Sequence, residues 1–295
     1  MPYPIAKLPY GLRCRLHKIA TPSERYHLQV AAGNPSICPP MQALKGNWSF
    51  RFQYQDGILA MSNNDLDYSY VTATIDLDRD NFVYSGFEFA FFNANLEDVS
   101  QNSFDRRFHS ISCMFLENCD LSGALFKKLN QTTVFSNAEK VKIAGNTNES
   151  YLLNFLDVIS AFPRMRVFSV DRTVFADTWI TDILQFKKHR LTKLYIDSSV
   201  AKLKSINVDD LIQLLRARRE CFDLHITIRD RLGPKDLQIF NSELGELFNG
   251  RLLLDDDDLA DCCPKYLDAM VIVYTYSYPG RQTSTWCLWK PGREP

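Results

Sequence analysis

The stretch Arg166–Asp197, RVFSVDRTVFADTWITDILQFKKHRLTKLYID, decides the fold. It opens on one short apolar run, Arg166–Val170, and closes on another, Leu191–Asp197. Between them Thr178–Lys188 carries Trp179, Ile183 and Phe186 at helical spacing, so one buried helix is expected to join two strands. The same alternation extends both ways, through Ser110–Leu116 (SISCMFL) and Glu139–Ala144 (EKVKIA) upstream and Asp223–Ile228 (DLHITI) downstream. The comparable positions Ile111, Val141, Val167, Leu194 and Leu224 are about 30, 26, 27 and 30 residues apart. That is near the period of a strand-plus-helix solenoid. Arrays of this kind are binding surfaces, which turns attention from a reaction to a partner.

Helical patterns fill the other gaps. Leu125–Leu129 is short, and Ser150–Phe162 sets Leu152, Phe155, Leu156 and Ile159 on one face. Val208–Arg219 begins with carboxylates and ends with arginines, matching the helix dipole, and Pro234–Phe248 follows the last clear run. Past Asp255–Asp258 the alternation stops. Met270–Tyr276 and Ser284–Trp289 are expected to pair around Pro279-Gly280 and to seal the end of the array. A doubly wound sheet also alternates helix and strand. When it binds nucleotide it carries a glycine-rich first turn, and this chain has neither G-x-G-x-x-G nor G-x-x-x-x-G-K-[ST] among its 12 glycines. The regular spacing favours the solenoid.

The first third reads differently, and the chain divides into residues 1–45, 46–108 and 109–295. Leu8, Leu12, Leu16 and Ile19 recur at helical spacing and share one face. Thr21-Pro22-Ser23-Glu24 is a helix start, with Thr21 as N-cap, Pro22 as first helical residue and Glu24 completing a capping box. Tyr26 and Val30 give the second helix an apolar stripe, and Gly33-Asn34-Pro35 ends it. This helical hairpin is too small to form a core alone, so it must pack on the rest of the chain or on a partner. Residues 35–45 contain three prolines and read as a linker. From Asn47 to about Phe92 a period-two pattern predicts antiparallel strands with turns near Asp56-Gly57 and Asp80-Asn81, and residues 93–108 read as loop or one short helix.

Composition bounds the function classes. Apolar residues make up 45% and charged residues 23%, enough for a sizeable core. Lys and Arg total 34 against 35 Asp and Glu, which argues against nucleic acid as the main ligand. The apolar runs fall far below the ~18 residues a membrane span needs. No signal-peptide pattern opens the chain, and eight cysteines form no C-x-x-C pair, so reduced thiols and a cytoplasmic or nuclear location are expected. Five histidines form no zincin pattern, and no G-x-S-x-G elbow occurs. Asp76–Asn81 resembles the start of a calcium loop but lacks its glycine, and Phe87 stands where the bidentate Glu belongs. No catalytic residue, metal ligand or cofactor site is expected. Lys142, Arg166, Lys193 and Tyr195 are placed on the strand side of the array, where a bound target and bulk solvent are equally good readings.

The hairpin and the array together resemble one family. Ile5–Leu12 with its Leu8-Pro9 pair, then Leu16, Ile19, the Thr21–Arg25 turn and Leu28, looks like an F-box. Tyr151–Ile196, with Leu211–Ile226 after it, is similar to the C-terminal region of the large nematode families of F-box proteins. The resemblance covers roughly residues 1–34 and 110–230. It implies an α/β fold with a leucine-rich-repeat-like array behind an F-box-like hairpin. It also implies a non-enzymatic substrate receptor of a cullin–RING ubiquitin ligase. The hairpin would dock on a Skp-type adaptor that bridges to the cullin, and the array would hold an unidentified target protein. Carried onto this sequence, the adaptor-contact residues are Leu8, Pro9, Leu12, Leu16, Ile19, Tyr26 and Leu28. One departure stands out: the third F-box helix would fall on residues 35–46, where the three prolines lie. The alternative is a stand-alone repeat scaffold with no link to a ligase, its hairpin packed on its own chain.

Overall fold

A computed structural model describes residues 7–33, 41–46, 50–63, 71–75, 82–101, 104–186, 190–217, 222–230, 234–248, 253–255, 267–277 and 280–289. The protein is mixed α/β, and its internal contacts divide it into two compact units, Met1–Ala138 and Glu139–Pro295. Residues 35–40 of the proline-rich linker, the turn at Asp80-Asn81, the Asp76–Asn81 segment, Asp256–Asp258 and Lys187–His189 lie outside the described residues, and the end of the linker enters a short strand at Leu44.

The first unit begins with two helices, α1 (Tyr10–Ile19) and α2 (Pro22–Ala32). Strands β1 (Leu44–Gly46), β2 (Phe50–Gln55), β3 (Ile58–Asn63), β4 (Val71–Thr74), β5 (Val83–Phe92) and β6 (Phe108–Cys119) form one sheet. β2, β3 and β4 are antiparallel neighbours, and Asp56 and Gly57 at the β2–β3 turn both have positive φ, 50° and 80°. This matches the period-two reading. β5 departs from it: it runs parallel to β1, β2 and β6. The reason lies in its sequence. Phe89, Ala90 and Phe91 are consecutive and all buried, the mark of a strand covered on both faces rather than a half-exposed hairpin arm.

Four short helices complete this unit: α3 (Leu96–Gln101), α4 (Phe104–Arg107), α5 (Gly123–Gln131) and α6 (Thr133–Ser136). The region 93–108 thus holds two helices, not one. Asn95 starts α3 by accepting from the Glu97 and Asp98 amides, at 2.7 and 3.2 Å. Asp105 on α4 accepts from the Thr133 and Val134 amides at the start of α6. The core is aromatic. Phe52, Phe89, Phe91, Phe104, Phe108 and Phe135 are all within 2% of full burial, and Phe89 meets Phe135 with ring centroids 4.9 Å apart. Such edge-to-face pairs add about 1 kcal/mol each beyond their buried area.

The second unit alternates strand and helix: β7 (Lys140–Asn146), α7 (Phe155–Ala161), β8 (Val167–Asp171), α8 (Trp179–Gln185), β9 (Lys193–Ser198), α9 (Val200–Lys204), α10 (Val208–Ala217) and β10 (Phe222–Ile228). These four strands are parallel and ordered as in the chain. The apolar runs fall where expected because Val141, Ile143, Phe168, Val170, Leu194, Ile196, Leu224 and Ile226 all turn into the core. After α11 (Pro234–Phe248), the strands β11 (Leu253–Asp255), β12 (Leu267–Ser277) and β13 (Gly280–Trp289) finish the sheet. β12 is parallel to β10, and β13 is antiparallel to both β12 and β11.

In the second unit two helices differ from the sequence reading. The Ser150–Phe162 pattern gives a helix only over Phe155–Ala161, because Asn154 caps it by accepting from the Leu156 amide at 2.8 Å. Leu152 therefore lies before the helix and is exposed. α9 was not signalled at all, since five residues are too few to show a period.

Candidate functional site

The hairpin of the first unit is built by its turn. The Glu24 amide donates to Thr21 Oγ1 at 3.3 Å, and the Thr21 amide donates to Glu24 Oε2 at 2.8 Å. The Thr21 amide and then the Thr21 hydroxyl, both donating to the Glu24 carboxylate, hold it below its ordinary pKa. Gly33 ends α2 in the left-handed conformation, at φ 67°.

One side of α2 is fixed to its own unit by polar anchors. Ser23, which is buried, donates to the Phe108 carbonyl at 3.2 Å. The buried Gln29 accepts from the Gln42 amide at 2.9 Å, and Arg25 Nε donates to Gln42 Oε1 at 3.1 Å. His27 donates from Nδ1 to the Ser23 carbonyl at 2.8 Å, and its Nε2 lies 2.9 Å from Nδ1 of His109 on β6.

Elsewhere on the hairpin four apolar side chains are open, set among exposed charged residues such as Lys7, Arg15 and Lys18. Tyr10, Leu12, Ile19 and Val30 are 66, 49, 73 and 62% exposed. Of the residues expected to contact an adaptor, Pro9, Leu12 and Ile19 are exposed, and Leu8, Leu16, Tyr26 and Leu28 are half-buried. Helical spacing found Leu12, Leu16 and Ile19. It missed Tyr10, which lies off the leucine stripe and sits under the Arg13 guanidinium at 5.8 Å.

A second surface is the sheet face of the second unit. Lys142 and Lys193 on it, and Arg166 just before β8, are exposed. Lys193 Nζ pairs with Asp223 at 2.8 Å. In-register pairing sets Lys142, Ser169, Tyr195 and His225 in one row across β7 to β10. Tyr195 and His225 stack, with centroids 4.3 Å apart and planes 18° apart. At the C-terminal ends of β8 and β9, Arg229 bridges Asp171 and Asp197. Burial pushes the Asp197 carboxyl up, and the hydrogen bond with Asp171 adds to this, against the pull of Arg229.

A cleft of about 290 Å³ opens in the first unit, lined by Leu44, Gly46, Ser85, Gly86, Phe87, Ser110 and Ser112. Ser85 and Ser110 hydroxyls bond across it at 2.8 Å. Its lining among the described residues has no titratable group. Among the described residues, no group of three or more His, Cys, Asp or Glu is placed to hold a metal ion, and no helix is long and apolar enough to cross a membrane.

No protein-family model, curated protein or solved structure matches the chain.

Proposed function

We propose that the protein is a non-enzymatic substrate receptor of a cullin–RING ubiquitin ligase. Its N-terminal hairpin docks on a Skp-type adaptor, and its second unit acts as a leucine-rich-repeat-like array that holds a target protein. The observation that carries this reading is the hairpin's two-sidedness. Ser23 and Gln29 anchor one side to the chain, while Tyr10, Leu12, Ile19 and Val30 present apolar side chains outward. Exposed apolar patches rimmed by polar residues mark protein interaction sites. Helical grooves read them as anchors at i, i+3, i+4 and i+7, the spacing of Leu12, Leu16 and Ile19. The exposed lysines and the Tyr195–His225 stack on the strands of the second unit support target binding there.

Co-purification with a Skp-type adaptor tests the reading. The wild-type chain is expected to retain the adaptor, and a Leu12→Asp, Ile19→Asp double variant is expected to lose it while keeping its circular dichroism and melting temperature. Both residues are exposed, so charge there costs little stability. An adaptor that binds neither form overturns the proposal. The buried Ser23 and Gln29 favour a second reading, a stand-alone interaction scaffold whose hairpin is simply part of its own unit. That reading predicts no adaptor in the purification and unchanged target capture by the double variant.

A further inference from the structure

We infer that His27 and His109 form a proton-sensitive latch that holds α2 against β6 near neutral pH and loosens it in mild acid. The inference is independent of the ligase reading. It starts from bond directions. The Ser23 carbonyl can only accept, so His27 Nδ1 carries a hydrogen, and in the neutral ring Nε2 is then the acceptor. His109 Nδ1, 2.9 Å away, must donate to it. One added proton is tolerated: a doubly protonated His27 donates from Nε2 while His109 shifts its hydrogen to the other nitrogen and accepts. A second proton is not. Two imidazoliums carry hydrogens on all four nitrogens, so the bond between the rings is lost and two like charges face each other with centroids 4.7 Å apart.

His27 is exposed, so water screens part of this repulsion, and the protein itself adds little relief. Tyr26 packs edge-on to the His109 ring at 5.0 Å. The charged groups on the packed elements are Glu24 and Arg25 on α2, Asp105, Arg106 and Arg107 on α4, Glu88 on β5 and, at the far end of β6, Glu117; the phenols are Tyr26 and Tyr84. Glu24 bonds to Thr21, Arg25 to Gln42, and Asp105 to the Thr133 and Val134 amides. Among the described residues no carboxylate bonds to either imidazole, and Arg106 and Arg107 add positive charge. Partial burial, and then the neighbouring His27, push the His109 pKa down from 6.5. The sign follows: the unfolded histidine binds its proton more readily, so the contact weakens as pH falls below about 6.5.

Hydrogen exchange of α2 amides, corrected for intrinsic rates and with a chelator present, tests the latch. The protection of Tyr26–Val30 relative to that of β6 is expected to fall about threefold or more between pH 7.5 and pH 5.0. In His109→Gln, which keeps a neutral polar side chain, that fall is expected to vanish. Equal pH dependence in both forms, or none in the wild type, overturns the inference. Should the variant fold poorly, ring-nitrogen chemical shifts in the wild type decide it. Two linked titrations, one displaced below 6.5, support the latch, and two independent ordinary titrations overturn it.

Discussion

Gly86 shows how little room the first unit leaves. A Cβ built there would lie 2.4 Å from Phe52 Cε2 and 2.9 Å from the Phe50 carbonyl oxygen, and Phe52 is fully buried. Gly86→Ala must therefore displace backbone or a packed ring. Overpacking of this kind costs about 2 kcal/mol, to be read from the urea midpoint. Arg229 poses a different question, because it pairs with two carboxylates that already hydrogen-bond to each other. Asp197 already titrates above its ordinary value of 3.8, through burial first and Asp171 second. Removing the guanidinium lifts it further. An acid whose folded pKa exceeds its unfolded one loses stability as pH rises past the unfolded value. Arg229→Gln is thus expected to stand near wild type at pH 4 and to be destabilised at pH 7.5. Arg229 is half-exposed, which holds the loss to about 1 kcal/mol, measured as the difference in urea midpoints at the two pH values.

At the scale of elements, the turn between α1 and α2 was legible because its chemistry is local. Thr21, Pro22 and Glu24 state a capping box within four residues, and the box forms. Thr21→Ala is expected to lower stability by about 1 kcal/mol and to fray α2 first, visible as faster exchange at its first turn. Strands β7 to β10 were legible too, since each carries buried residues at alternate positions, as Leu194 and Ile196 do in β9. β5 was misread because its neighbours are set by tertiary pairing: nothing within Val83–Phe92 says that β2 and β6 flank it in parallel. α4, α6 and α9 have four or five residues each, less than two turns, so no periodicity could reveal them. In the candidate site the same division holds. Leu12, Leu16 and Ile19 announce themselves by spacing. His27 and His109 are 82 positions apart and meet only through the fold.

For the molecule as a whole, the two units differ in how their strands are wired. In the second, β7, β8, β9 and β10 follow chain order, each joined to the next by a helical crossover. In the first, β2 pairs with β5, placing Arg51 opposite Glu88, while β3 and β4 intervene in sequence. That contrast bears on synthesis by the ribosome, where the chain emerges from its N-terminus at about 5–20 residues per second. In the second unit β8, β9 and β10 each find their neighbour already delivered. In the first, β2 must wait for β5 and keep one edge unsatisfied meanwhile. The early-made half of the protein therefore carries the longer exposure to mispairing during translation, and the late-made half can add its parallel strands one after another.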